Sequence, residues 1–321
     1  MKNSGIGGQA VLEGIMMKNK DKYAVAVRKP DKEIELCVKD YKSVTDKCKL
    51  FKLPFIRGVF NFVDSMILGV STLMFSAKFF DEEEEQEVKS KDKKKDKKND
   101  EVKPKDVEDK TESVIMTITM IVSLFLAVGL FIVLPSLISD LFKNKLDINS
   151  YTAVSIIEGL IRITLFVLYV FLISRMEDIQ RTFMYHGAEH KCINCIEHGK
   201  ELTVENVLNS SRLHKRCGTS FLFLVMAISM IFFILIPVEE TLEKVIVRLV
   251  LVPVIAGVSY EVLKLAGRYD GIIIRIISAP GMALQRLTTK EPDAEMAEVA
   301  IKAVEAVFDW REFLADYKEE K

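Results

Sequence analysis

The chain is short of net charge, of histidine and of cysteine, and each shortage narrows what it can do. Its 321 residues carry 45 Lys and Arg against 46 Asp and Glu, a formal charge of -1. That balance removes the basic surplus on which DNA binding depends. Met1 to Gly14 is Gly-rich and lacks an apolar core, so no cleavable signal peptide is expected. Its glycines do not make a phosphate loop, because no Gly-Lys-Ser/Thr ending follows them. There are only four His and five Cys. In a reducing compartment the Cys are expected as thiols or metal ligands rather than disulfides.

What is abundant is apolar and charged residues together, 49% and 28% of the chain, in separate stretches. That segregation is typical of a membrane protein with soluble parts. Four runs approach the roughly 20 apolar residues that cross about 30 Å of hydrocarbon. They are Val114 to Ile138, Ser155 to Ser174, Thr219 to Pro237 and Lys244 to Ala266. The second holds Glu158 and Arg162, spaced to pair on one helix face; the fourth holds Arg248, Glu261 and Lys264 near its ends. Ser139 to Tyr151 has only Lys143 and Lys145 as basic residues, and Val238 to Glu243 is acidic. The segment between the second and third runs holds Arg175, Arg181, Lys191, Lys200, Arg212, Lys215 and Arg216. The positive-inside rule places that segment and both termini in the cytoplasm, with the protein multi-pass in the cell membrane and the lipid bilayer as its first partner.

The expected architecture is mainly α, with four transmembrane helices, a small cytoplasmic α+β part and amphipathic helices. Residues 1–80 form a cytoplasmic N-terminal region. Within it Tyr23 to Tyr41 alternates as a β-hairpin around Lys29-Pro30-Asp31-Lys32, and Phe55 to Phe80 is an amphipathic stretch that is either a helix at the membrane interface, the favoured reading, or a fifth, poorer span. Residues 81–110 are nearly pure charge and are expected as a disordered linker. Residues 111–270 hold the four spans and a cytoplasmic His/Cys loop, 175–218. Residues 271–321 are expected as cytoplasmic amphipathic helices: two short ones broken at Ala279-Pro280-Gly281, then a helix over Pro292 to Tyr317 with Asp293 as its cap. The second span is expected to continue as a helix past Arg175, and Thr203 is expected to cap a short helix.

The chemistry concentrates in Tyr185-His186-Gly187-Ala188-Glu189-His190-Lys191. On a helix His186 and His190 share a face and can reach one cation, and the order H-x-x-E-H makes Glu189 the natural general base beside zinc. His214 and Cys217 lie just before the third span, at the same membrane face. Two zinc arrangements fit. In one, His186 and His190 are joined by Cys217 or Glu261, with one position open for catalysis. In the other, Cys192-x-x-Cys195 joins His214-x-x-Cys217 in a closed structural knot. His198 reads as a helix-end residue facing solvent. Glu13 and Gln9 either line a pocket or belong to a loop that packs on the domain.

The run Gly7-Gly8-Gln9-Ala10-Val11-Leu12-Glu13-Gly14-Ile15-Met16-Met17, with HGAEHK at His186 to Lys191, LTVENV at Leu202 to Val207, RLHKRCGTSF at Arg212 to Phe221 and GVSYE at Gly257 to Glu261, resembles the YqhQ-like bacterial membrane proteins, the domain-of-unknown-function 1385 family. The resemblance covers nearly the whole chain outside the charged linker. It implies a metal-dependent enzyme whose site falls on His186, Glu189, His190, His214 and Cys217, with Glu13 and Glu261 beside them. The Cys192 and Cys195 pair is not central to it. The resulting expectation is a zinc-dependent hydrolase with Glu189 as base, acting on a peptide or amide or on a lipid-linked group. The other expectation is a non-catalytic scaffold that serves membrane-protein biogenesis or the translocation machinery. A transporter ranks third, because few polar groups line the spans.

Overall fold

Short apolar runs, Ile15-Met16-Met17 and Ala24-Val25-Ala26-Val27, form the buried centre of an antiparallel sheet at the N-terminal end. Its strands are β1 (Gly7–Val11), β2 (Gly14–Asn19), β3 (Lys22–Arg28) and β4 (Ile34–Asp40), in the order β1-β2-β3-β4. The computed structural model describes residues 2–92, 105–238, 240–269 and 271–319. The hairpin of Tyr23 to Tyr41 forms as expected. The Gly-rich opening, however, adds two further strands. Its two turns hide from a sequence pattern because non-glycine residues take the left-handed conformation there, Glu13 at φ 47° and Lys20 at φ 50°.

Period-two alternation sends Ile15, Met17 and Ala26 to one face of the sheet and Val11, Met16, Val25 and Val27 to the other. The first face packs on α5 (Glu177–Glu197) and α10 (Ala294–Glu305); the second packs on Leu68 of α1 (Ile56–Asp92). The sheet is therefore covered on both faces by helices.

The other helices are α2 (Lys105–Val128), α3 (Leu134–Leu146), α4 (Tyr151–Ile173), α6 (Val204–Leu208), α7 (Gly218–Leu235), α8 (Thr241–Arg268), α9 (Ile272–Thr288) and α11 (Trp310–Glu319). A π-helical turn, Gly129–Val133, joins α2 to α3. Among the described residues, five helical stretches are long and apolar enough to cross a membrane: Ile56–Phe80, Thr117–Leu146, Tyr151–Ile173, Gly218–Leu235 and Leu242–Arg268. The sequence pattern gives four and assigns Phe55 to Phe80 to the interface. Ile56–Phe80 qualifies by length and composition alone; Leu68 at its middle packs on the sheet, which fits a helix at the interface, and its acid Asp64 is buried and accepts from Ser43 Oγ at 2.5 Å and the Val44 amide at 2.9 Å.

Two further expectations change. The helix of the second span ends at Ile173, and α5 starts anew at Glu177 after an extended Met176. Residues 272–288 form one helix with Pro280 inside it, not two short ones. The charged stretch 81–110 enters as the end of α1 and leaves as the start of α2, and its centre, 93–104, lies outside the described residues. Thr203 and Asp293 do cap α6 and α10, accepting from the amides of Asn206 and Met296.

The chain divides into two compact units. The first is Met1–Glu82, Val167–Ile228 and Pro253–Lys321; the second is Glu83–Phe166 and Ser229–Val252. The first unit holds the sheet and every residue of the site described below. The second holds a buried ionic cluster. Glu158 pairs with Arg162 at 2.8 Å, as its spacing predicts, and with Arg248 at 2.6 Å. Both guanidinium groups lie over the Phe233 ring, at 5.0 and 4.9 Å. Charges in apolar helices are costly unless paired, and here each has a partner.

Candidate metal centre

The centre is built on α5, which is almost wholly buried from Tyr185 to Glu197. A helix buried on all sides normally carries apolar residues, but this one carries Glu189, His190, Lys191, Asn194 and Glu197. Lys191 Nζ donates to the carbonyls of Leu208 and Ser210, both at 2.8 Å. Asn194 Nδ2 donates to those of Ser211 and Leu213, at 2.6 and 3.0 Å. Gln285 of α9, fully buried, accepts from the His214 amide at 2.8 Å and donates to the His214 carbonyl at 2.7 Å. These three side chains fix the loop from Leu208 to Cys217 against α5.

The result is a cluster of three ligand-type side chains, His186, His190 and Cys217, whose atoms all lie within 4.8 Å of one another. His186 Nε2 stands 3.3 Å from Cys217 Sγ. Zinc with bonds of about 2.0–2.3 Å in a tetrahedron would hold N and S roughly 3.5 Å apart, so the spacing suits a cation. The imidazoles are oriented from behind. His186 Nδ1 is 2.9 Å from the Thr288 carbonyl and His190 Nδ1 is 2.7 Å from the Arg212 carbonyl. A carbonyl only accepts, so each Nδ1 carries the hydrogen and each Nε2 keeps its lone pair. Metal-binding histidines are held in the same way. Cys217 precedes the first residue of α7, and its sulfur accepts from the Thr219 amide at 3.4 Å.

Gly187 makes the His186 contact attainable. A Cβ at this position would collide with the Lys290 carbonyl, so only glycine lets the 288–290 segment cross α5 closely enough for Thr288 to reach His186. The Lys290 amide seals the crossing by donating to the Phe183 carbonyl at 2.8 Å.

Glu189 lies one residue from His190 and lines the same cavity as His186 and Cys217, a space of about 640 Å³. Burial raises its pKa to about 7, against the pull of His186 and of a hydrogen bond from the Gly8 amide. The cavity lies between α1, α5, α7 and α8, with Gly8, Gln9 and Ala10 of β1 on its wall.

Other expected site residues are engaged elsewhere. His214 Nε2 is 3.5 Å from Glu197 Oε2, and its ring centre is 5.6 Å from that of His190. It stands behind the cluster. Glu261 Oε1 and Oε2 accept from Arg57 Nε and Nη2 at 2.7 and 2.5 Å. Glu13 is held by Arg181 in the same two-pronged way, both contacts at 2.5 Å, and does not line the cavity, whereas Gln9 does. Cys192 and Cys195 pack in the apolar core beside Ile193 and Ile196, where burial pushes both thiols upward in pKa. They do not meet His214 and Cys217 in a four-ligand knot. His198 ends α5 with its Nδ1 on the Asn194 carbonyl at 2.7 Å.

Sequence reasoning passes over Glu197, Lys191, Asn194 and Gln285. Glu197 is fully buried; it accepts from the Ser4 amide and hydroxyl, both at 2.8 Å, and pairs with Arg216. Burial alone would raise its pKa, but the His214 imidazole, the Arg216 guanidinium and the Ser4 amide together hold it down at about 2. The signal that could reveal Lys191, Asn194 and Glu197 is the density of polar residues in the run HKCINCIE, which matches neither an amphipathic helix nor a loop; Gln285 carries no such signal.

The family model described as "Protein of unknown function (DUF1385)" matches residues 53–310. The "Uncharacterized protein YqhQ" of Bacillus subtilis (strain 168) is 35% identical over 304 residues, which is 92% of this chain and 90% of the relative. No solved structure matches. With that model covering more than half of its length and that relative 35% identical over most of both chains, this chain belongs to the DUF1385 family.

Proposed function

We propose that the chain is a metal-dependent hydrolase of the bacterial cell membrane, working at the cytoplasmic face with both termini in the cytoplasm. The observation that carries the reading is the pair of imidazoles whose Nδ1 atoms are engaged by the Thr288 and Arg212 carbonyls, which leaves their Nε2 atoms for a cation in a cluster with the Cys217 thiol. His186, His190 and Cys217 would hold the cation, and zinc suits this mixed N and S set. Three protein ligands leave a fourth position open, which is the mark of a catalytic rather than a structural site. A zinc ion there would polarise a carbonyl or phosphoryl oxygen and make water acidic enough to attack near neutral pH.

The chain's own groups do the rest. Glu189 lines the same cavity and takes the proton of the attacking water, then returns it to the leaving group. The Gly8 amide steadies its carboxylate. Residues of α1, α7 and α8 line the cavity beside Glu189 and would hold the substrate there. His214, Glu197 and Arg216 act as support, tying the loop that carries Cys217 to the end of α5 and to Ser4.

The test is a Glu189→Gln variant of the full chain. It keeps its metal and loses at least about 100-fold in hydrolysis. If the variant instead restores full function to cells that lack the protein, the hydrolase reading falls and a metal-stabilised membrane scaffold takes its place.

A further inference from the structure

The cavity has a second chemical feature besides the metal cluster, an unpaired sheet edge. β1 is the terminal strand of the sheet and pairs only with β2. Its register, Val11 with Gly14 and Gln9 with Met16, turns the N–H and C=O groups of Gly7, Gln9 and Val11 toward β2. Those of Gly8, Ala10 and Leu12 face outward. The protein caps both ends of this outward row: the Gly8 amide goes to Glu189, and the Leu12 amide goes to Ser76 Oγ at 3.1 Å. Between the caps, the Ala10 N–H and C=O and the Gly8 C=O have no protein partner among the described residues. Gly8 and Ala10 both line the cavity that holds His186, Glu189 and Cys217.

We propose that the substrate is a polypeptide, bound extended along the open edge of β1 as a fifth strand, with the amide to be cleaved beside Glu189. The free Gly8 C=O, Ala10 N–H and Ala10 C=O follow one another at strand spacing and match the backbone of an extended peptide. The volume of about 640 Å³ suits a short segment. Phe62, Phe221, Leu222 and Leu263 supply apolar walls, so the side chains flanking the cut are apolar. All four walls belong to helices long and apolar enough to cross a membrane, which fits a substrate segment drawn from a membrane protein near the bilayer surface. Water adds to the peptide carbonyl, the C–N bond breaks, and the products are a carboxylate and an amine. The inference rests on the hydrolase reading for its cleavage step, but strand addition can be tested without cleavage.

The experiment uses the full chain in lipid nanodiscs, zinc-loaded and carrying Glu189→Gln, exposed to a peptide library from a digested bacterial membrane fraction. Retained peptides are identified by mass spectrometry. Apolar peptides are expected to be retained at least tenfold over a matched Ala10→Pro protein, which loses the outward N–H but keeps its pairing to β2. The best peptide is then N-methylated at each amide in turn and bound to the Ala10-containing protein. Affinity should fall at least tenfold at alternate amides and stay unchanged at those between, a period-two pattern that does not depend on how well the proline variant folds. Equal loss at every amide, or at none, or no retention of peptides, overturns strand addition. In parallel, the protein with Glu189 intact is given the same peptides and, separately, vesicles of phosphatidylglycerol and phosphatidylethanolamine. Vesicle lipids cleaved with peptides untouched would overturn the peptide assignment and leave the hydrolase reading standing. Retention with the period-two pattern but no cleavage of either would sustain strand addition while the hydrolase reading fails.

Discussion

Glu197→Gln is the substitution whose cost can be worked most fully. The carboxylate is completely buried at the end of α5, where Ser4, His214 and Arg216 converge on it. Burial disfavours its charge, yet the three partners overcompensate and bring its pKa from an ordinary 4.5 to about 2. That difference corresponds to about 3 kcal/mol of stability contributed by the charged form. The pKa is lowered in the folded state, so the contribution is complete above about pH 4.5 and fades as pH falls toward 2. Glutamine keeps the shape and removes the charge, leaving the Arg216 guanidinium beside a neutral amide. At pH 7 we expect a loss of about 3 kcal/mol, read as a fall of roughly 5 °C or more in the midpoint of thermal unfolding in detergent. The gap between the two proteins should narrow as the pH is lowered from 5 to about 2.5. A variant that unfolds with the unaltered chain at pH 7, or a gap that widens in acid, would refute the reasoning.

Other substitutions test neighbouring parts of the account. Gly187→Ala places a methyl group on the Lys290 carbonyl and parts Thr288 from His186, so zinc affinity measured by chelator competition should drop about 10- to 100-fold; wild-type affinity would disprove the link. Gln285→Leu removes both hydrogen bonds that hold His214 in place and leaves its buried amide unpaired, at a cost of about 1–3 kcal/mol in unfolding free energy; a neutral result would remove Gln285 from the scaffold. Glu158→Gln strips the counter-ion from Arg162 and Arg248, and thermal stability should fall by about 3–5 kcal/mol, whereas unchanged stability would show that the cluster is not dry.

Much of this could be read from the residues alone, for identifiable reasons. The apolar runs announce themselves because crossing a bilayer takes length, and length survives a few internal charges. The pairing of Glu158 with Arg162 follows from helix spacing. So does the shared face of His186 and His190, and Cys217 joins them through a fold that a sequence pattern only suggests. The failures are equally physical. Glu261 is attractive as an acid within an apolar helix, but Arg57, distant in sequence, is the group that satisfies it. His214 has the right chemistry, yet Glu197 turns it from the cluster. The strand at Gly7–Val11 is invisible because its turn uses Glu13, not glycine, at positive φ, and its small residues pack only once α5 covers them.

Metal content decides the central claim most directly. The full chain, purified in detergent and dialysed against a weak chelator, is analysed for zinc together with its His186→Ala, His190→Ala and Cys217→Ser variants, and the bound ion is examined by X-ray absorption. The account predicts one zinc per chain, two nitrogens at about 2.0–2.1 Å and one sulfur at about 2.3 Å, and loss of the ion in each variant. A chain that holds no metal, or one that keeps its zinc when all three side chains are replaced, would contradict it.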